Sequence, residues 1–287
     1  TLIPGPGGGG GGTIEPWSLN SIGYKTETVG TTYYPSLVTT KELRNNDVVE
    51  TESLSLTYDA NGNITTYGYN TYTYDKFNRL TRENNYYLDK TITWEYDVGG
   101  NITSRKEYAF TTSTTTLGTP IKTYTYAYGN DWKDQLTSYN GYECVYDSAG
   151  NPTNYRWNTL TWEGRLLKSF KTVLGSQPST MTYTADGMRA SKVEPYGNGT
   201  KSHYYTYNGS TLVQEKIVTS GSQTTEYLTF LYNSEGLTGF VHNSTVYTYR
   251  RNLFGDIIAI YQGNTKVAEY AYDAYGNCTI VFATGNA

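Results

Sequence analysis

The sequence predicts an all-β protein, organised as a repeat array of antiparallel β-hairpins. Of its 287 residues, 32 are Tyr and 30 are Gly. Tyr and Thr favour pleated, half-buried surfaces, whereas Gly and Asn provide the turns between strands. A tyrosine-led phrase also returns about every twenty residues, a spacing typical of stacked structural units rather than of one compact catalytic domain.

The chain divides into three predicted segments. Residues 1–12 (TLIPGPGGGGGG) are of low complexity and predict a flexible Gly-rich leader, which has no means of burying a core. Residues 13–57 predict an irregular β segment that leads into the array. Residues 58–287 contain the recurring phrase and predict the array itself.

The recurring phrase has four full copies, YDANGN, YDVGGN, YDSAGN and YDAYGN. Its Asp is expected to accept a backbone N–H two residues further on, and its Gly to take a positive φ at low cost. Its Asn then leads into the next strand. The residues predicted to form this structural repeat motif are Tyr58, Asp59, Gly62, Asn63, Tyr96, Asp97, Gly100, Asn101, Tyr146, Asp147, Gly150, Asn151, Tyr272, Asp273, Gly276 and Asn277.

The segments around the phrase alternate with a period of two, which places the aromatic rings on one face of a strand. We expect the rings to form tyrosine ladders along the inner wall of a sheet. Pro152 follows the third copy and lacks a donor for the ladder, so a bend or a sheet edge is expected there. The residues taken to open successive units are Tyr58, Tyr74, Tyr96, Tyr126, Tyr146, Trp162, Tyr183, Tyr207, Tyr232, Tyr249 and Tyr272.

Charge and hydropathy argue against two classes of partner. The net charge is −4 and no basic stripe occurs, so nucleic acid is not an expected partner. No apolar run has the length of a membrane span. Cys144 and Cys278 lie far apart in the sequence and are expected to be unpaired thiols.

The sequence offers no recognisable reactive site, so we expect no catalytic residue, no metal, no cofactor and no enzymatic activity. Each phrase holds one Asp, whereas calcium loops cluster several carboxylates. The two histidines, His203 and His242, lack partners at zinc-ligand spacing, and no GxSxG elbow occurs. Among the five Trp, we expect Trp94 and Trp162 in the core, and Trp132, in a polar segment, as the candidate for an exposed surface contact.

The phrase Tyr-Asp-x-x-Gly-Asn, followed by Ile-Thr in the first two copies, resembles the YD repeats of Rhs proteins from about Tyr58 to Thr279. Members of that family include bacterial Rhs and wall-associated polymorphic toxins, shell subunits of insecticidal toxin complexes, and teneurins. The resemblance implies a β-sheet that spirals into a hollow shell, which in bacterial members encloses a C-terminal toxic domain. The self-cleaving core region of the family does not occur here, so self-cleavage is not carried over.

The resemblance implies a structural function. We expect a shell segment of a secreted or cell-surface bacterial protein that scaffolds or encapsulates a polypeptide, with cargo or further repeats of the same parent as partners. Two alternatives stay open. One is an adhesin-like module whose outer loops bind a glycan or a cell-surface protein. The other is a self-assembling filament or tube, since open strand edges can pair with another copy.

Overall fold

The structure, a computed structural model, describes residues 19–29, 32–44, 47–114, 116–222, 224–234 and 236–284. The predicted leader, residues 1–12, lies outside the described residues. The chain forms two compact units, Thr1–Gly68 and Tyr69–Ala287. The three-segment division drawn from the sequence stays a prediction.

The described residues form β-strands and turns and contain no helix, which confirms the all-β prediction. No segment in this part of the chain is therefore a helix long and apolar enough to cross a membrane. The strands of the first unit are β1 Leu19–Val29, β2 Thr32–Arg44, β3 Asp47–Tyr58 and β4 Ile64–Tyr67. They pair antiparallel in chain order.

The second unit continues the same hairpin pattern in two ladders. The strands of its first ladder are β5 Asn70–Tyr74, β6 Leu80–Asn85, β7 Lys90–Tyr96, β8 Ile102–Ala109, β9 Lys122–Tyr128, β10 Leu136–Tyr139 and β11 Tyr142–Glu143. The strands of its second ladder are β12 Val145–Tyr146, β13 Pro152–Tyr155, β14 Asn158–Glu163, β15 Leu166–Lys171, β16 Ser179–Tyr183, β17 Arg189–Tyr196, β18 Gly199–Asn208, β19 Thr211–Thr219, β20 Thr224–Asn233, β21 Gly236–His242, β22 Thr245–Arg251, β23 Ile257–Gln262, β24 Thr265–Tyr272 and β25 Cys278–Ala283.

The two ladders of the second unit meet at Cys144, which lies between β11 and β12. Its thiol is buried and unpaired, and its backbone N–H donates to the carbonyl of Thr137 at 2.9 Å. Pro152 opens β13, directly beside the first strand of the second ladder. Pro152 pairs with Tyr146 of β12, the edge strand, at a register shift, whereas β13 itself is paired on both sides.

The buried core of the first ladder is a small apolar cluster of Leu80, Ile92 and Trp94. Tyr72, Tyr74, Tyr96 and Ile102 pack around it as partly buried neighbours. Trp94 is therefore a core residue, as predicted. Trp162 is half-buried, and its indole N–H donates to the carbonyl of Pro152 at 2.7 Å.

A recurring hydrogen bond joins most repeats of the second unit to the one before it, and before the turn at 252–256 Arg251 takes the aromatic residue's place, donating to the Leu237 carbonyl at 2.9 Å. An aromatic side chain at the end of one strand donates to a carbonyl at the start of an earlier strand, which is the neighbouring strand in every pair except Tyr146–Leu136, where the contact joins the two ladders. The pairs, at 2.6–2.9 Å, are Tyr96–Leu80, Tyr128–Ile102, Tyr146–Leu136, Trp162–Pro152, Tyr183–Leu167, Tyr207–Arg189, Tyr232–Leu212 and Tyr272–Ile257. We call this contact the aromatic latch.

The latch corrects two unit markers taken from the sequence, Tyr126 and Tyr249, the second because Arg251 precedes the turn and makes the contact to Leu237. Tyr128, and not Tyr126, makes the latch of its unit, because Tyr128 is the residue directly before the turn. Most latch residues also follow a β-bulge, as at Glu95/Tyr96 and Thr182/Tyr183. A bulge adds one residue and strengthens the local twist, which turns the ring toward the neighbouring strand.

The turn that follows the latch is closed by the Asp and the Asn of the phrase. In all four full copies the Asp N–H donates to the Asn carbonyl, and the Asn N–H donates back to Asp Oδ1. The Asn side-chain amide donates to Asp Oδ2 at 2.7–2.9 Å. The phrase glycines have φ between 78° and 94°. The Asn was expected only to lead into the next strand, and instead it clamps the turn.

The same clamp survives changes of residue type. Arg79 replaces Asn and donates to Asp75 at 2.7 Å. At residues 252–256 the order is reversed, since the Asn252 amide donates to Asp256 Oδ2 at 2.8 Å. Where Asp precedes Asn, the hydrogen bond from the Asn side-chain amide is the main cause that lowers the pKa of Asp59, Asp97 and Asp147. A lowered pKa means that this contribution is present at neutral pH and lost as pH falls through the lowered value.

We expect Tyr183→Phe to lower the free energy of unfolding by about 1 kcal/mol, because it leaves the Leu167 carbonyl without its donor. Urea unfolding at pH 7 measures the change. The matched control is Tyr204→Phe, since Tyr204 is exposed and its hydroxyl contacts no described partner. Equal effects of the two substitutions would contradict a stabilising latch.

The reversed turn offers a test of the clamp. Asn252→Asp should lower stability by about 1 kcal/mol, because it places two carboxylates face to face and removes the amide donor. Adding Asp256→Asn should recover most of the loss, because the pair then has the order found in the four full copies. Thermal unfolding of both single variants and the double variant measures the coupling. Additive losses would show that the two side chains do not act as a pair.

Candidate functional site

The last repeat turn, Tyr272–Asn277, lies against strands β6 to β8 of the same unit. The Asn85 side-chain amide donates to the Tyr272 carbonyl at 2.8 Å, and the Ala274 N–H donates to Glu83 Oε2 at 2.9 Å. The Arg105 guanidinium reaches Asp273 Oδ2 at 3.0 Å. These partners are 168 to 191 residues apart in sequence. We call this contact the closure.

Asp273 differs from the aspartates of the other full copies because the closure buries it. Its side chain is 1% exposed. One oxygen accepts the backbone N–H groups of Tyr275 and Asn277, and the other accepts the Asn277 amide and the Arg105 guanidinium. A buried carboxylate needs such partners, since desolvation without them is costly.

Arg105 belongs to a network of paired charges. Its guanidinium also donates to Glu107 Oε1 at 2.6 Å, and the Lys90 ammonium lies 2.9 Å from Glu107 Oε2. Burial acts to raise the pKa of Glu107, but the hydrogen bonds from Lys90 and Arg105 outweigh it, so that the pKa is lowered. Glu107 is therefore held as a carboxylate at neutral pH.

Glu83 has the opposite environment. It is almost fully buried, and its oxygens accept from the Asn85 amide and the Ala274 N–H. Burial is the main cause that raises its pKa to about 7, and the negative charge of Asp273 adds to this effect while Arg105 opposes it. Glu83 thus titrates near neutral pH within the closure.

Aromatic contacts complete the closure on its other side. The hydroxyl groups of Tyr96 and Tyr275 lie 2.5 Å apart, and the Tyr275 ring is 5.1 Å from that of Trp94. Burial, and then the hydrogen bond to Tyr275, raises the pKa of Tyr96. Tyr96 therefore serves two contacts at once, the latch to Leu80 and the closure.

A cleft of about 250 Å³ adjoins the closure. Tyr124, Tyr126 and Tyr139 form an aromatic wall, in which Tyr126 and Tyr139 meet edge to face at 5.2 Å. Burial raises the pKa of Tyr126 to about 12, so its hydroxyl stays protonated. The other residues that line the cleft are Leu88, Lys90, Ile92, Arg105, Glu107, Arg156, Asp273, Asn277 and Thr279.

The structure distributes the predicted repeat residues along the array, and only the last copy, together with Tyr96 of the second copy, takes part in the closure. Their role as a site stays a prediction. Trp132 is 58% exposed, and its role as a surface contact is likewise untested. Sequence reasoning missed Glu83, Asn85 and Arg105, since no local pattern marks residues whose partners lie in the last repeat.

Metal binding also stays untested. In the described ranges, no group of three or more His, Cys, Asp or Glu side chains is arranged to hold a metal ion. His203 lies between two glutamates of the neighbouring strands. Its ring nitrogens lie 2.6 Å from Glu215 and 3.0 Å from Glu194, as hydrogen bonds across three neighbouring strands.

Comparison with known proteins finds relatives among bacterial nucleases. The tRNA3(Ser)-specific nuclease WapA of Bacillus spizizenii is 32% identical over 209 residues, which is 72% of this chain and 8% of that protein. The tRNA nuclease WapA of Bacillus subtilis strain 168 is 33% identical over 208 residues, with the same coverage. The chain thus spans a small part of the relatives it matches. No family model matches it.

A solved structure shares the fold. A chain of the crystal structure of TcdB2-TccC3-Cdc42 superposes with a TM-score of 0.64 at 19% identity, over 90% of this chain and 15% of that one. This likeness supports an Rhs/YD-type shell fold. The expectation of no enzymatic activity is wrong, because the relatives are named as tRNA nucleases.

The raised pKa of Glu83 predicts a pH dependence of stability between pH 5 and 8. The folded protein holds the proton of Glu83 more tightly than the unfolded chain does. The resulting stabilisation is complete below the ordinary glutamate pKa of about 4.5, and it is lost as pH rises through the folded-state pKa of about 7. The difference is on the order of 3 kcal/mol. Glu83→Gln should flatten this profile, because the amide cannot ionise.

Chemical unfolding at each pH gives the profile, and Glu143→Gln is the control because Glu143 is an exposed glutamate. An unchanged slope in Glu83→Gln would show that Glu83 does not titrate in this range.

Proposed function

We propose that the chain is a segment of the β-sheet shell of a larger bacterial Rhs-type toxin of the YD-repeat family. The observation that carries the proposal is the sequence match to WapA over 72% of the chain. The repeated latch and turn clamp support it, because they build one hairpin onto the next in chain order, as an extended shell wall requires.

The whole protein would be a nuclease that acts on tRNA, by analogy with the names of its relatives. The array would scaffold or enclose a polypeptide of the same parent, such as a C-terminal toxin, behind a wall lined with Tyr. The protein would act outside the producing cell, as a secreted or surface-displayed molecule. Further repeats of the same parent would be the immediate neighbours of this segment.

The closure suggests how the wall is held. Arg105, Asp273 and Glu83 fasten the last repeat to strands near the beginning of the second unit. Long-range contacts of this kind limit the opening of an array whose repeats otherwise touch only their neighbours. A container benefits from such a contact, because a wall that opens exposes its contents.

The experiment uses the full-length polypeptide that carries this chain. Arg105→Ala with Asp273→Ala opens the closure, and Glu163→Ala with Lys168→Ala removes an exposed ion pair as the matched control. We expect the region after the array to resist trypsin in the wild type and the control, and to be cleaved at least tenfold faster in the closure variant. Equal cleavage rates in all three proteins would contradict enclosure.

A tRNA cleavage assay on the same full-length protein tests the second half of the proposal. Cleavage by the wild-type polypeptide is the expected result. A full-length protein that folds and leaves tRNA intact would refute the nuclease assignment while leaving the shell assignment to the trypsin experiment.

A patch of exposed aromatics favours a second function, glycan binding. Tyr69, Tyr86 and Tyr87 are exposed, and the Tyr86 ring lies 5.0 Å from Tyr69 and 6.1 Å from Phe110. Such rings can stack on sugar faces. Binding of the purified chain to immobilised glycans that is lost in Tyr86→Ala would support this function, and no binding to any glycan tested would exclude it for that set.

A further inference from the structure

The turn between β13 and β14 breaks the residue preference of its type. Tyr155 pairs with Asn158, so Arg156 and Trp157 form a two-residue loop, with φ of 51° and 64°. Two positive φ values in a row favour Asn and Gly, as in the Asn140–Gly141 turn of this chain. Each residue with a Cβ in this conformation costs about 1 kcal/mol or more. Strain of this kind clusters at functional sites.

The strained turn directs two side chains. The Trp157 ring packs on Tyr142 with ring centres 3.8 Å apart. The Arg156 guanidinium lies 4.7 Å from the ring centre of Tyr139 and lines the cleft beside the closure. Stacking on the ring holds the planar guanidinium in place while leaving its N–H donors free.

Arg156 is the one cation of the cleft whose charge is not paired within the described residues. Arg105 and Lys90 are engaged with Glu107 and Asp273. Arg156 contacts only the Tyr139 ring, with no carboxylate partner in the part of the chain that is described. The three cations and two carboxylates leave one positive charge in excess, and Arg156 carries it.

The aromatic wall adds unused hydrogen-bond donors. The hydroxyl groups of Tyr124, Tyr126 and Tyr139 have no hydrogen-bond partner among the described residues, although Tyr139 is only 8% exposed. The buried donor without a hydrogen-bond partner in this lining is Nε of Arg105. Such a group is costly unless it serves a ligand or water. The cleft therefore presents a guanidinium and phenolic donors together.

We propose that this cleft binds a carboxylate, as carried by an acidic residue of an extended peptide. A guanidinium pairs with a carboxylate through two parallel hydrogen bonds. The volume of about 250 Å³ is below that of ordinary small-molecule sites, which suits one or two side chains. Glu107 and Asp273 line the same cleft and disfavour a more highly charged anion such as phosphate. All residues that line the cleft belong to this chain, so carboxylate binding does not depend on whether the array encloses cargo.

The test is an NMR titration of the purified 287-residue chain with the peptide acetyl-Gly-Glu-Gly-amide and its Gln counterpart. We expect the Glu peptide to bind at least tenfold more tightly than the Gln peptide. Equal affinities would overturn the proposal. Titration with inorganic phosphate separates the two anion chemistries, and phosphate binding as tight as that of the Glu peptide would also overturn the assignment to a carboxylate.

The key variant is Arg156→Gly, which removes the guanidinium and relieves the backbone strain. We expect this variant to bind the Glu peptide at least tenfold more weakly than the wild type does. Its unfolding temperature should stay equal or rise. Arg156→Lys should bind with intermediate affinity, since it keeps the charge without the planar fork. Arg165→Ala changes an exposed arginine outside the cleft and should bind as the wild type does. Full binding by Arg156→Gly would refute the site.

Discussion

The hydrogen bond from an aromatic side chain to the backbone of the preceding repeat is the contact on which the rest of this array depends. A strand ladder alone fixes neighbouring backbones, but it leaves the turn regions free to splay. The latch ties the end of one strand to the start of its neighbour, as in Tyr183 with Leu167. It also satisfies a hydroxyl that would otherwise be buried without a partner. Seven tyrosines of the second unit serve this repeated structural need.

The latch and the turn clamp act in sequence along the chain. A bulge before the latch residue turns the ring toward the neighbouring strand, and the Asp that follows starts the clamped turn. In the last repeat the same geometry gains a second use. Asp273 keeps its turn contacts and also pairs with Arg105. A structural motif of the array thereby becomes a long-range contact, with a cleft beside it.

Local features of the fold were predictable from the sequence, and long-range ones were not. The alternation of Tyr and the Gly of the phrase predicted strands and positive-φ turns, because both depend on residues within one hairpin. The role of Asn101 was also local, and its constant position four residues after the Asp was a signal that could have revealed it. The pairing of Arg105 with Asp273 spans 168 residues and leaves no local trace. Arg156 likewise looks like an ordinary loop residue until its φ is known.

The acceptor of the latch is a main-chain carbonyl, and this choice bears on how such arrays evolve. Every residue has a carbonyl, so each repeat meets its neighbour through a group that substitution cannot remove. After a repeat is duplicated or deleted, the aromatic residue of the following repeat therefore still finds a carbonyl acceptor. No matching substitution in the neighbouring repeat is needed. Arrays joined in this way can change length by recombination and diverge freely in side chains.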